Sequence, residues 1–87
     1  MEYLIAVFKS RTQLMRFYDL LQQRRIGSAV INTPREASLG CGLSVKFNRH
    51  DYSNVTYLLR SEQFYSFAGM FIVTENGRHK TVRPYRQ

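Results

Sequence analysis

Eighty-seven residues with 44% hydrophobic side chains suffice for one small domain and exclude two. A formal net charge of +7 points either to an anionic partner, such as nucleic acid or an acidic protein, or to a soluble arginine-rich surface. A single cysteine excludes an internal disulfide and cannot build a zinc site without several other ligands.

Tyr3–Phe8 is the longest apolar run and reads as a central strand buried on both faces. It falls far short of the about 20 residues a spanning helix needs, so no membrane association is expected. No cationic start with a long apolar core marks a secretory leader, and the expected compartment is the cytoplasm. Ser10 to Gln13 has capping-box spacing, with Ser10 as N-cap and Gln13 reaching back. Leu14, Phe17, Tyr18 and Leu21 then fall on one helical face. Gly27 is expected just past the helix end, with Arg24 and Arg25 suited to the negative end of the dipole.

Ala29-Val30-Ile31 forms a second strand, stopped by Pro34. Residues 43–48 alternate, with Leu43, Val45 and Phe47 inward and Ser44 and Lys46 expected outward. Asp51 is the expected N-cap of a second helix ending near residues 61–63. Residues 64–74 read as a fourth strand bent at Gly69, and Asn76-Gly77 signals a hairpin into a strand from His79 to Arg83. The order predicts an α+β, ferredoxin-like split βαβ domain with an antiparallel sheet and an added C-terminal hairpin. One domain covers 1–87, with a core at 3–74 and the hairpin and basic tail at 75–87.

The least regular stretch is residues 33–43, Thr-Pro-Arg-Glu-Ala-Ser-Leu-Gly-Cys-Gly-Leu. Gly40 and Gly42 free the backbone on both sides of Cys41. A right-handed crossover makes strand two parallel to strand one, so both finish at one sheet edge. That brings Lys9, Ser10, Arg11 and Thr12, at the first helix start, near the cysteine loop. A helix N-terminus and nearby cations favour a thiolate over a thiol. The alternative at this point is a small buried cysteine at the mouth of strand three.

The Thr-Pro-Arg-Glu-x-Ser-x-x-Cys-Gly-Leu segment resembles the signature of a family of small bacterial proteins named selenium/sulfur carrier protein-like. Residues 3–10, Tyr-Leu-Ile-Ala-Val-Phe-Lys-Ser, are similar to that family's opening strand and turn. The resemblance covers about residues 3 to 70; the hairpin and basic tail after Glu75 depart from it. It implies that Cys41 carries a persulfide or perselenide, loaded by a donor such as a cysteine desulfurase and unloaded by an acceptor protein. In that role the Gly42 N–H and the first helical turn would stabilise the anion. Arg35 would pair with the thiolate or an acidic partner patch, or else with Glu36 or with solvent. Ser38 would hydrogen-bond within the loop. Gly40, Ser10 and Arg11 complete the candidate site, with no metal and no cofactor.

A second reading is a basic nucleic-acid-binding module. Six tyrosines, six phenylalanines and the +7 charge favour it, and the lack of an aromatic-rich RNP-type strand opposes it. A third is a regulatory partner that homodimerises through Tyr65, Phe67, Phe71 and the hairpin, which is compatible with the carrier reading. A self-contained enzyme is disfavoured, because His50 belongs at the sheet edge opposite Cys41 and no metal cluster or phosphate loop is present.

Overall fold

The computed structural model describes residues 1–38 and 42–86. In chain order the elements are β1 (Glu2–Phe8), α1 (Arg11–Gln23), β2 (Ser28–Asn32), a 3₁₀ turn (Arg35–Ala37) and β3 (Leu43–Phe47). A second 3₁₀ turn (Arg49–Asp51), α2 (Tyr52–Ser61), β4 (Phe67–Asn76) and β5 (His79–Pro84) follow. Every neighbouring pair in the sheet is antiparallel, in the order β2-β3-β1-β4-β5. The architecture is therefore α+β, a five-stranded antiparallel sheet with two helices.

β1 is hydrogen-bonded on both sides, as its unbroken apolar run requires. Leu4, Ala6 and Phe8 point into the larger core with Leu14, Phe17 and Leu21 of α1 and Val55 and Leu58 of α2. Phe17 is wedged between Phe8 and Phe64, with ring centroids 5.3 and 5.1 Å away. Such aromatic pairs add about 0.5–1.5 kcal/mol beyond the area they bury. Phe64 thus works as a core wedge and not as a strand residue. Its carbonyl accepts from the Phe67 N–H at 3.1 Å, which forms the turn that starts β4 three residues later than the apolar, aromatic content from Phe64 suggests.

The other face of the sheet departs from expectation. Tyr3, Ile5 and Val7 of β1 point there, together with Val73, and Ala37 lies fully buried among them. The 3₁₀ turn carrying Ala37 lies against β5, so the segment after β2 folds across the face that has no helix. Ser44, opposite Val7, is for this reason fully buried instead of outward and exposed. Lys46 is half-buried, with its Nζ 4.2 Å from the centre of the Tyr3 ring. Burial, and secondarily the charge of Glu75, hold the Tyr3 hydroxyl above the ordinary phenol value, so it stays neutral at physiological pH.

Two chain reversals also differ in detail. α1 ends in a Schellman motif: the Ile26 N–H donates to Leu21 O at 2.9 Å and the Arg25 N–H to Gln22 O at 3.0 Å. The left-handed position is filled by Arg25, at φ 58°, and not by Gly27. A side chain at that φ costs about 1–2 kcal/mol. Arg25→Gly is therefore expected to stabilise the domain by about 1 kcal/mol, seen as a higher denaturant midpoint with an unchanged slope. A midpoint that stays put or falls would contradict this. At the other reversal Gly77 takes φ 63° and β4 pairs back onto β5 from Asn76↔His79 to Phe71↔Pro84. The Tyr85 N–H donates to Met70 O at 2.9 Å, so the next residue along supplies the ladder bond and Pro84, on an edge strand, loses nothing.

Candidate functional site

The site begins where β1 delivers Phe8, Lys9 and Ser10 to one edge of the sheet. Ser10 is the N-cap of α1; its hydroxyl accepts from the Gln13 N–H at 3.2 Å. Gln13 makes a different bond from the one its capping-box spacing suggests. Its Oε1 accepts from the Ser66 N–H at 2.8 Å, while the Lys9 N–H donates to Ser66 O at 2.8 Å. Both bonds clamp the start of α1 to the residues entering β4. Sequence spacing cannot show this, because Gln13 and Ser66 are distant in the chain.

β1 and β2 are each antiparallel to β3 and hence parallel to each other. β2 therefore ends at the edge where α1 begins, as the crossover argument requires. From there the chain leaves through a narrow neck. The Thr33 N–H donates to Gly42 O at 3.0 Å, and the Thr33 and Ser44 hydroxyls lie 2.7 Å apart. Burying the Ser44 hydroxyl unpaired would be costly, and Thr33 removes that cost. Thr33, Ala37 and Ser44 position the loop, and the sequence reading assigned none of them this task.

On the helix side of the neck is a cleft of about 190 Å³ lined by Phe8, Lys9, Arg11, Leu14, Gly42 and Leu43. Its rim is cationic, and the first turn of α1 contains no acid. The first N–H groups of any helix lack intrahelical acceptors and carry partial positive charge. Backbone and side-chain electrostatics therefore act in the same direction here and favour an anion.

The predicted residues divide into three groups. Arg11 and Gly42 come together in the cleft, and Lys9 joins them. Ser10 supports them as the helix cap. Arg35 is exposed in the 3₁₀ turn on the other face of the sheet and does not line the cleft. Ser38, just after that turn, donates its N–H to Arg35 O at 3.1 Å. Gly40 and Cys41 lie outside the described residues.

The two histidines are at the far end. β3 runs away from Gly42, and His50 follows it, with Nε2 3.6 Å from Asp51 Oδ2. Asp51 stands at the N-cap of α2 as expected, but its side chain makes no capping bond. His79 pairs with Asn76 beside the hairpin turn, beyond the start of β1. Tyr65, Phe67 and Phe71 do not form one patch. Tyr65 is exposed outside the sheet, Phe67 packs on the helix-side core and Phe71 on the opposite face.

The fold is thus a small α+β domain with Gly42 brought beside a cationic helix start, in a chain with a single cysteine. A family model described as "Putative Se/S carrier protein-like" matches residues 3–67, and the chain belongs to that family. The match runs from β1 to the first residue of β4, so nearly all of β4 and the whole of β5 lie beyond it. No curated protein and no solved structure matches the chain. No helix among the described residues is long and apolar enough to cross a membrane.

Proposed function

We propose that this chain carries sulfur or selenium as a persulfide or perselenide on Cys41. The observation behind this reading is the cleft in which Gly42, the residue next to Cys41, meets Lys9 and Arg11 at the start of α1. Family membership supports the kind of chemistry. In this reading the order β2-β3-β1-β4 is a ferredoxin-like split βαβ scaffold, and β5 is an addition at its edge.

The transfer step is a thiol–persulfide exchange. A donor of the cysteine desulfurase kind presents a persulfide, and the Cys41 thiolate attacks its outer sulfur. A new S–S bond forms on Cys41 as the donor's S–S bond breaks. The donor cysteine leaves as a thiolate with the bonding pair, so no external oxidant or reductant is consumed. A nucleophile on the acceptor then repeats the attack, and Cys41 departs as a thiolate. With one cysteine in the chain, no internal thiol can intercept the persulfide as a disulfide. Lys9, Arg11 and the first N–H groups of α1 stabilise the anionic sulfur before and after transfer. Arg35, exposed on the other face, is available to an acidic patch on a donor or acceptor. The reaction belongs in the cytoplasm, where thiols stay reduced.

The nucleic-acid reading needs an open aromatic platform on the sheet. The face without helices is crossed by the Arg35–Ala37 turn, and Phe71 packs in the cluster that also holds Ala37. This observation favours the carrier.

The pH dependence of Cys41 alkylation by a neutral reagent tests the electrostatics. The expected midpoint lies below the value of about 8.5 for a free thiol. Replacing the two exposed cations together, Lys9→Glu with Arg11→Glu, is expected to move it upward. A midpoint at or above the free-thiol value, unmoved by the charge reversal, would overturn the proposed role of the cleft.

A further inference from the structure

A further concavity, more apolar than polar in its lining, shares no residue with the cleft at the start of α1. It is a groove of about 500 Å³ between α2 on one side and the start of β4 with the chain beyond β5 on the other. That volume is within the range of about 300–1,000 Å³ typical of small-molecule sites. Leu59, Phe67, Met70 and Tyr85 give it an apolar floor and walls, and Arg60 and Arg86 are the cations that line it. Among the described residues, no acidic side chain lines it.

The wall made by the chain end is fixed in place. Besides its backbone bond to Met70, Tyr85 packs its ring edge-on against Tyr52 at 5.1 Å, and the Arg49 guanidinium lies 5.6 Å from its centre. Arg49 is itself paired with Glu2. The next residue, Arg86, is thereby carried to the groove. Arg60 suits the C-terminal end of α2, but Arg86 has no helix to complement. Among the described residues neither arginine has an ion-pair partner, whereas Arg16 and Arg49 each do.

We infer that this groove binds a small molecule with an apolar, ring-sized body and one anionic group, the body between α2 and β4 and the charge at Arg60 and Arg86. Seven of the residues that line it, 68–71 and 84–86, lie beyond the family match, and the inference does not depend on the carrier reading.

The test uses two dyes with the same apolar body, anilinonaphthalene sulfonate and its uncharged parent phenylnaphthylamine, on the full chain. The sulfonate is expected to bind with one-to-one saturation, with amide chemical-shift changes centred on Leu59, Met70 and Tyr85. Arg60→Gln with Arg86→Gln, two exposed changes that leave the core untouched, is expected to weaken the sulfonate about tenfold and leave the neutral dye unchanged. Shift changes centred on another surface would overturn the inference. So would sulfonate affinity indifferent to the double change, or the absence of saturable binding.

Discussion

Replacing Ala37 with aspartate is expected to free the segment between β2 and β3 while the helix-side core stays folded. Ala37 is fully buried on the face of the sheet opposite the helices, against Ile5, Val7 and Val73. A carboxylate there would have to lose its hydration with no partner, and burying even an uncharged polar group unpaired costs about 2–7 kcal/mol. Undocking instead exposes apolar surface of Ile5, Val7 and Val73 at about 25 cal/mol per Å², a loss offset by the about 1–2 kcal/mol per residue of backbone entropy that the freed turn regains. The segment is therefore expected to lift off, and the price to the whole fold is capped by its docking energy. Arg35, already exposed and two residues before Ala37, is the natural reporter. Trypsin cleavage after Arg35 is expected to rise about tenfold or more, the ratio that corresponds to losing about 1.4 kcal/mol of docking. The thermal midpoint is expected to fall by about 4–8 °C for each kcal/mol lost, with the near-ultraviolet signal of the Phe8, Phe17 and Phe64 cluster retained at room temperature. Cleavage at Arg35 no faster than in the parent, with the core signal intact, would show that Ala37 does not hold the segment down.

The local signals of this sequence were strong wherever one physical cause acted alone. The unbroken apolar run of β1 marked a strand paired on both sides, and the structure pairs it with β3 and β4. The helical spacing of Leu14, Phe17 and Leu21 placed all three in the core, and Ser10 caps their helix. The parallel relation of β1 and β2 followed from crossover handedness and brought Arg11 to the cleft beside Gly42. What could not be read depended on contacts distant in sequence. Ser44 alternates with apolar residues as an outward-facing side chain would, and only the segment folded over it buries it. Gln13 has the spacing to reach back to its own helix, yet a backbone N–H far along the chain takes its side chain. Arg25 occupies a left-handed position where the nearby Gly27 would be less strained, so the Schellman bonds and the burial of Ile26 outweigh local propensity. Arg35 was the side chain expected to pair with the thiolate or an acidic partner patch, and Arg11 a neighbour at the helix start. The fold separates them to opposite faces of the sheet because the 3₁₀ turn crosses to β5.

Cys41→Ser is expected to abolish carriage outright, since an alcohol forms no persulfide and the chain has no other thiol. Intact-protein and peptide mass spectrometry after incubation with a cysteine desulfurase and cysteine tests this most directly. The expected result is the gain of one sulfur atom on the peptide containing Cys41. That sulfur is expected to be lost on treatment with a thiol and to be absent from Cys41→Ser and from a mixture lacking the desulfurase. An unmodified Cys41 under conditions in which the desulfurase itself is loaded with persulfide, or an equal mass gain in Cys41→Ser, would contradict the carrier reading.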